Sequence, residues 1–277
     1  STSTSTASTI ASSPRVSTRD VTAGVMVRRR RRFIHPSTSK NQSAHALARV
    51  VMVRPRALTA PLDADDGDDG EDALDVPGST RCVLVGPSTC GKTTMLLRMC
   101  ARFARAHPRA RVLYVAERGA MDRARIHASR AELSSEDARA LERIGIKYAR
   151  DDGDVRALAC FRHAAPASEQ PRLVVVDDLG SMIGRGGGDR VSREIAYART
   201  LAALHESARD DETGESRAVV VSERTDGDTG AVPMQYVYSK WFGEVLQVHA
   251  VGEGTWDLVS ARDGETVRYS TSRVSDG

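Results

Sequence analysis

From residue 77 onward, short apolar runs alternate with longer stretches in which apolar residues recur at helical spacing. Residues 82–85 and 112–116 are predicted strands, and residues 91–106 between them have the periodicity of a helix. Residues 173–176, with the sequence LVVV, are apolar throughout, which is typical of a strand that is buried on both faces. Strands that alternate with helices predict an α/β fold with a mostly parallel central sheet.

The remaining segments continue this alternation and then depart from it. Helices are predicted at 122–142, 154–164 and 190–208, and strands at 144–149 and 218–221. In the last part of the chain, residues 244–250 and 255–269 alternate apolar and polar positions, with a turn signal at Asp263-Gly264. This pattern predicts a C-terminal antiparallel β-meander that closes the sheet.

Charge is distributed in blocks along the chain. Residues 1–62 carry eleven basic residues and one acid, residues 63–76 carry eight acids and no base, and the rest holds 29 bases against 28 acids. Like charges that follow one another repel and do not share a core. The sequence therefore predicts a disordered basic tail over 1–62, an acidic linker over 63–76 and one folded domain over 77–277. As an alternative to a plain linker, the acidic run competes with an anionic ligand for a basic groove.

The basic tail has three interpretations. It is rich in Ser, Thr and Arg and almost free of acids, which suits a disordered segment and equally an organelle transit peptide. Residues 28–32 are consecutive arginines, as in a nuclear localisation signal. The nucleus is the expected compartment, with an organelle as the alternative.

Composition argues against two classes of protein. No stretch approaches the roughly 18 uninterrupted apolar residues that span a bilayer, so no membrane partner is expected. The four cysteines lack Cys-x-x-Cys spacing, and the seven histidines show no metal-binding spacing. The sequence therefore predicts neither a disulfide framework nor a structural zinc site, and the cysteines are expected to be buried or nearly buried free thiols.

One motif carries strong chemical information. The pattern GxxxxGK[ST] of a P-loop, directly after a predicted strand and before a predicted helix, is formed by Gly86, Pro87, Ser88, Thr89, Cys90, Gly91, Lys92 and Thr93. Backbone N–H groups of such a loop and the helix N-terminus surround the phosphates of a nucleotide. We expect Lys92 to contact the β- and γ-phosphates of ATP and Thr93 to bind Mg²⁺ through its hydroxyl, with Thr94 as a weaker neighbour.

Acidic residues follow two of the predicted strands. Asp177 and Asp178 come directly after LVVV, at the carboxyl end of a strand, where α/β sheets collect ligands. We expect Asp177 to bind Mg²⁺. Glu117 follows the strand 112–116 and is the candidate base that orients the attacking water in ATP hydrolysis, with an ordinary acid in a turn as the alternative.

Motifs of other P-loop branches are missing. The chain has neither LSGGQ nor NKxD, and Asp177-Asp178 differs from the Asp-Glu pair usual in AAA+ ATPases, which leaves the RecA-like branch. The segment VLYVAERGAMDRARI resembles the strand-Glu-Gly segment of eukaryotic RecA-type recombinases, in which the Glu orients the water. The segment RLVVVDDLGSMIGRGGGDRVSREIAYARTLAAL resembles the recombinase stretch with the second acidic motif, the first DNA loop and a long helix.

Within that branch, the chain is most similar to the SWIM-domain-associated recombinase paralogue, the ATPase of the Shu-type complex. The similarity rests on KYARDDGDVRALACF before LVVVDD, then MQYVYSKWFGEVLQV and WDLVSARDGETVRY. It implies a slow, DNA-stimulated ATPase that assists a recombinase on single-stranded DNA in homologous-recombination repair. It also implies a heteromer with a SWIM-type zinc-finger protein or another recombinase paralogue.

The resemblance also indicates where DNA would bind and where the chain departs from the family. Positions matching the two DNA loops are 184–190 and about 224–235, with Arg185 and Arg190 as candidate phosphate contacts. A mobile surface connection is the alternative for the first loop. Where recombinases have a sensor sequence with Asn-Gln, this chain has Ser222-Glu223-Arg224.

Two other functions are compatible with the same motifs. One is a P-loop kinase or other small-molecule phosphotransferase, which would transfer phosphate only to an acceptor and would not respond to DNA. The other is a scaffold subunit that binds nucleotide without turnover.

Overall fold

The computed structural model of this chain describes Leu58 and residues 80–123, 135–183, 189–209, 217–227 and 230–271. The acidic run 63–76 and all of the basic tail except Leu58 lie outside the described residues. Leu58 itself is fully buried in a core cluster. This burial stabilises the fold, because a leucine side chain is more stable out of water. The disordered basic tail over 1–62 stays a prediction.

The described strands form one eight-stranded sheet with the order β3-β2-β4-β5-β1-β6-β7-β8. Their bounds are β1 Arg81–Gly86, β2 Arg111–Ala116, β3 Ile144–Tyr148, β4 Pro171–Val176, β5 Ala218–Arg224, β6 Glu244–Gly252, β7 Thr255–Ser260 and β8 Thr266–Ser270. The first six strands pair in parallel, and β6-β7 and β7-β8 pair antiparallel. The α/β P-loop fold with a RecA-like, mostly parallel sheet and antiparallel C-terminal strands is thus confirmed.

Helices cover both faces of the sheet. Their bounds are α1 Lys92–Ala106, α2 Arg118–Arg123, α3 Ser135–Glu142, α4 Asp152–Cys160, α5 Leu179–Met182, α6 Arg190–Ser207 and α7 Gln235–Trp241. Apolar residues of α1 pack on one face of the sheet, whereas those of α4, α5, α6 and α7 pack on the other. The central strands β1, β4 and β5 are consequently buried on both sides, as their apolar sequences predict.

Side-chain caps define the start of two helices. Asp151 Oδ1 accepts a hydrogen bond from the backbone N–H of Asp154 at 2.9 Å before α4. Asp189 Oδ1 accepts one from the N–H of Ser192 at 2.8 Å before α6. Both aspartates satisfy N–H groups that the first helical turn leaves without an intrahelical acceptor.

Several predicted elements differ in detail from the structure. The helix predicted at 122–142 is described only as α2 and α3, with residues 124–134 outside the described part. The helix predicted at 154–164 ends at Cys160 and continues as a 3-10 turn over Phe161–Ala164. The first strand of the predicted meander is not wholly antiparallel, because β6 pairs in parallel with β1 and antiparallel only with β7.

The cysteine prediction is confirmed at three positions and wrong at one. All four thiols are free, and Cys82, Cys90 and Cys100 are buried. Cys160 is exposed, because it ends α4 on the side that faces away from the core.

Among the described residues, no cluster of His, Cys, Asp and Glu could hold a metal ion, and no helix is long and apolar enough to cross a bilayer.

Candidate functional site

The P-loop connects the end of β1 to the start of α1. Strand β1 ends at Gly86 and the helix begins at Lys92, directly after Gly91 with a φ of 91°. Thr89 also has a positive φ, of 66°, which is uncommon for a residue with a side chain. This backbone turns the loop around the N-terminus of α1, where N–H groups and the helix dipole favour an anion.

Lys92 lies over the loop that precedes it. Its Nζ donates hydrogen bonds to the backbone oxygens of Gly86 at 2.8 Å and Pro87 at 2.7 Å. The side chain is buried, so the ammonium group is held inside the concave side of the loop. An arriving phosphate would replace these two carbonyl oxygens as the acceptor for an ammonium that is already in place.

Strands β6 and β8 both contact the P-loop. A Cβ at Gly86 would lie 2.7 Å from the Cβ of Val248 on β6, so this position has no room for a side chain. Tyr269 on β8 donates a hydrogen bond from its hydroxyl to the backbone oxygen of Cys90 at 2.8 Å. The hairpin β7-β8 therefore fixes the loop through this hydrogen bond.

Asp177 lies at the carboxyl end of β4, and three hydroxyl groups donate hydrogen bonds to it. Thr93 Oγ1 and the Tyr114 hydroxyl donate to Oδ2 at 2.7 Å and 3.0 Å, and Ser222 Oγ donates to Oδ1 at 2.5 Å. Only 1% of Asp177 is exposed. Burial in the first place, and the negative charge of Asp177 in the second, raise the pKa of the Tyr114 hydroxyl, so Tyr114 stays a neutral donor.

The pair formed by Thr93 and Asp177 fits a magnesium ion. Mg²⁺ prefers oxygen ligands in octahedral geometry at about 2.1 Å, so two adjacent ligand atoms lie about 2.9 Å apart. The observed separation of Thr93 Oγ1 and Asp177 Oδ2, 2.7 Å, is close to that spacing. The site offers one hydroxyl and one carboxylate next to a phosphate loop, which is the donor set that Mg²⁺ takes together with phosphate oxygens and water.

Glu117 lies at the same edge of the sheet. It is half-buried and follows β2 directly, and β2 pairs with β4, which carries Asp177. The backbone N–H of Asp177 donates to the oxygen of Val115 on β2 at 2.8 Å. The structure thus places Thr93 next to Asp177, with Lys92 in the adjacent loop and Glu117 after β2 at the same edge of the sheet. Thr94 is half-buried, and Ser88 and Thr89 are exposed on the loop.

Sequence reasoning did not identify two partners of Asp177. Tyr114 lies on β2 and Ser222 on β5, and the hydroxyl of Ser222 also accepts the backbone N–H of Asp178 at 2.8 Å. In the sequence, each of these two partners is only a single residue with a hydroxyl group, within or directly after a run of apolar residues. Such a residue is common, and only the strand order brings these two to Asp177.

Glu223 and Arg224 follow Ser222 and are both engaged with other residues. Glu223 Oε2 accepts hydrogen bonds from the hydroxyls of Tyr197 at 3.0 Å and Tyr238 at 2.7 Å. Burial raises the pKa of Glu223 above its ordinary value. Arg224 makes an ion pair with Asp178, whose other oxygen, Oδ1, has no hydrogen-bond partner among the described residues.

The candidate DNA contacts are only partly described. Arg185 lies outside the described residues. Arg190 is exposed at the start of α6 and donates from Nε to Glu194 Oε1 at 2.9 Å. An open groove next to it is lined by residues of α6, α7 and the segment before α7, namely Arg190, Arg193, Asp226, Val232, Pro233, Met234, Gln235, Tyr236 and Ser239.

Comparison with known proteins gives a family match and distant structural likenesses. None of the curated proteins matches this chain. A solved structure described as the crystal structure of the RadB recombinase is 20% identical, covers 70% of this chain and 87% of that chain, and has a TM-score of 0.49.

The family match covers the P-loop and Asp177. A family model described as AAA domain matches residues 73–216, which is more than half of the 277 residues. The matched region contains both the P-loop and the Asp177-Asp178 pair, and the match supports a RecA-like ATPase. The chain belongs to the AAA domain family.

Proposed function

We propose that this protein binds ATP with Mg²⁺ and hydrolyses it slowly as a RecA-like ATPase. The observation that carries the proposal is the hydrogen bond of 2.7 Å between Thr93 Oγ1 and Asp177 Oδ2, at the mouth of a P-loop that holds a buried lysine. A hydroxyl, a carboxylate and an ammonium at this spacing form a site for a metal-bound polyphosphate.

Each residue has a role that follows from its position. When nucleotide binds, Lys92 Nζ donates its hydrogen bonds to phosphate oxygens in place of the backbone oxygens of Gly86 and Pro87. The backbone of residues 86–91 surrounds the phosphates. Thr93 and Asp177 hold Mg²⁺, which supplies charge neutralisation at the phosphate oxygens when it is bound. Tyr114 and Ser222 keep the Asp177 carboxylate in its orientation.

Glu117 is the proposed base for hydrolysis. It follows β2, the strand next to the one that bears Asp177, and it is half-buried at the edge of the sheet where the phosphates would lie. A carboxylate there accepts a proton from, and orients, a water molecule that attacks the terminal phosphate. Loss of such a base typically slows a reaction by about 10²-fold to 10⁴-fold.

The proposed biological role is assistance to a recombinase on single-stranded DNA in homologous-recombination repair. It is supported by the sequence resemblance to recombinase paralogues and by the groove beside α6, which is lined by Arg193 and by Arg190, whose Nε pairs with Glu194. A heteromer with a SWIM-type zinc-finger protein or another recombinase paralogue, and a nuclear location based on residues 28–32, belong to the same proposal.

The test is ATP turnover by the full chain with and without single-stranded DNA, at low and at moderate salt. We expect slow turnover that DNA stimulates, less so at higher salt because phosphate contacts weaken. Lys92→Ala should abolish turnover, and Glu117→Gln should lower it at least about 10²-fold while nucleotide still binds. Glu206→Gln, on the exposed side of α6, is the matched control and should leave turnover unchanged.

Other results would favour the other functions. Turnover that is indifferent to DNA and rises with a small-molecule acceptor would favour a phosphotransferase. Nucleotide binding without turnover, combined with wild-type function of the Glu117→Gln variant, would favour a scaffold subunit.

A further inference from the structure

A second groove, between α6 and α7, is lined mainly by apolar side chains. Its lining residues are Val191, Glu194, Ile195, Ala198, Tyr236, Val237, Lys240 and Trp241, and it shares only Tyr236 with the groove next to Arg190. Val191, Ile195 and Tyr236 are 59%, 44% and 55% exposed. Single exposed apolar residues are common on protein surfaces, whereas several that line one groove indicate an interaction site.

Helix α6 has apolar residues on two of its sides. Tyr197, Leu201 and Leu204 are buried in the core on the face of the sheet that α6 covers. Val191, Ile195 and Ala198 follow one another at intervals of four and three residues and form a second apolar row along the groove. A helix that packs on a sheet and otherwise faces water needs one apolar row. The second row therefore indicates a second packing partner.

The spacing of side chains on both walls of the groove suits a helix as the occupant. On α7, Tyr236 and Lys240 are four residues apart, and so are Val237 and Trp241, so both walls repeat about every 5.4 Å, the rise of one helical turn. An amphipathic helix that presents apolar side chains at i, i+3, i+4 and i+7 matches this repeat. Tyrosine and tryptophan are also enriched in the cores of protein interfaces.

Basic residues flank the groove. Lys240 lines it and is exposed, and Arg199, also exposed, follows Ile195 by one turn on the same side of α6. Glu194, the acid among the lining residues, already accepts a hydrogen bond from Nε of Arg190 at 2.9 Å. The groove is therefore flanked by an excess of positive charge, which favours a partner with acidic residues beside its apolar face.

We propose that the groove between α6 and α7 docks an amphipathic helix of another protein, whose apolar face is flanked by Asp and Glu. The inference rests on the heteromer of the proposed function and names the surface for that partner, but it needs no bound nucleotide. Val191, Ile195 and Trp241 contact the apolar side chains of the helix, and Arg199 and Lys240 pair with its acids. Aliphatic walls give little to a nucleic acid, which is bound through several cations and stacked aromatic rings.

The probe is a displayed library of helical peptides of about 18 residues, with Leu fixed at i, i+3, i+4 and i+7 and the other positions varied. Selection on the full chain should enrich Asp and Glu next to the leucines. A selected peptide should change the fluorescence of Trp241 in a Trp256→Phe background, in which Trp241 is the sole tryptophan. Ile195→Asp should weaken the peptide at least about tenfold, because it places a charge in the apolar contact. Lys240→Glu should weaken it and make the remaining binding less sensitive to salt.

Val251→Asp and Lys147→Glu are the matched controls. Val251 is 49% exposed on β6, Lys147 is exposed on β3, and neither lines the groove, so each control makes the same change of charge elsewhere on the surface. Both controls should bind the selected peptide as the wild type does. Urea unfolding of Ile195→Asp, with a cooperative transition close to that of the wild type, separates loss of the contact from loss of the fold.

Several results would overturn the inference. Selection without enrichment of acids would mean that the basic residues do not choose the partner, and unchanged binding to Ile195→Asp would place the peptide elsewhere. Dimerisation of the chain that Ile195→Asp abolishes, measured by analytical ultracentrifugation, would make a second copy the occupant. A change in Trp241 fluorescence caused by single-stranded DNA and lost in Ile195→Asp would make DNA the occupant. A chain that bound the acidic peptide but no ATP would contradict the proposed ATPase and leave this inference standing.

Discussion

Glu244 is a buried acid whose charge opposes folding at neutral pH. It begins β6 at the edge of the sheet opposite the P-loop, it is 5% exposed, and its Oε1 has no hydrogen-bond partner among the described residues. Burial above all, and then the nearby Asp263, raise the pKa of Glu244 from an ordinary 4.5 to about 7. The change Glu244→Gln removes the charge while keeping the shape of the side chain.

The sign and size of the effect follow from the two pKa values. A carboxyl with a pKa of 4.5 in the unfolded chain and about 7 in the folded chain contributes stability below pH 4.5 that is lost as the pH rises to 7. The linkage between proton binding and folding lowers the free energy of unfolding, relative to low pH, by about 0.8 kcal/mol at pH 5 and about 3.3 kcal/mol at pH 8. Glutamine does not titrate. The free energy of unfolding of Glu244→Gln, measured relative to that of the wild type, should therefore rise by about 2.5 kcal/mol from pH 5 to pH 8.

The assay is urea unfolding of the wild type and Glu244→Gln at pH 5 and pH 8. Glu253→Gln, in the exposed turn between β6 and β7, is the control and should shift the free energy of unfolding by less than about 0.5 kcal/mol at either pH. A difference in the free energy of unfolding between Glu244→Gln and the wild type that is the same at both pH values would contradict a raised pKa of Glu244, because it would mean that the folded chain does not disfavour the carboxylate.

Two further substitutions test contacts around the nucleotide site. Tyr269→Phe removes the hydroxyl that donates to the Cys90 oxygen, so it should lower the free energy of unfolding by about 1 kcal/mol and weaken ATP binding severalfold, as measured by urea unfolding and nucleotide titration. Gly180→Ala would place a Cβ 2.2 Å from Glu223 Oε1 and should destabilise the chain by about 1–3 kcal/mol in the same unfolding assay. An unchanged midpoint in Gly180→Ala would show that Glu223 can move without cost.

The fold was largely predictable because most of its signals are local. A strand, a P-loop and a helix follow one another without interruption. The apolar runs LVVV and AVVV predict the strands β4 and β5. The pairing of β6 was not predictable in the same way. Its alternating pattern suits an antiparallel hairpin, and only tertiary structure places it in parallel beside β1.

The candidate site shows the same division. Lys92 and Thr93 follow from the motif, and Asp177 follows from the apolar strand before it. Tyr114 and Ser222 could not be recognised, because they lie 63 and 45 residues from Asp177 in the sequence. Contacts of this kind depend on the order of strands in the sheet, which short sequence patterns do not encode.

The most direct test of a nucleotide site at the P-loop is equilibrium binding of a fluorescent, non-hydrolysable ATP analogue to the full chain, with and without Mg²⁺, for the wild type and Lys92→Ala. We expect binding that Mg²⁺ strengthens and that Lys92→Ala reduces at least about tenfold, since the lysine contact with phosphate is charge-assisted. Equal binding by the wild type and Lys92→Ala would contradict it, because the nucleotide would then lie somewhere other than the P-loop.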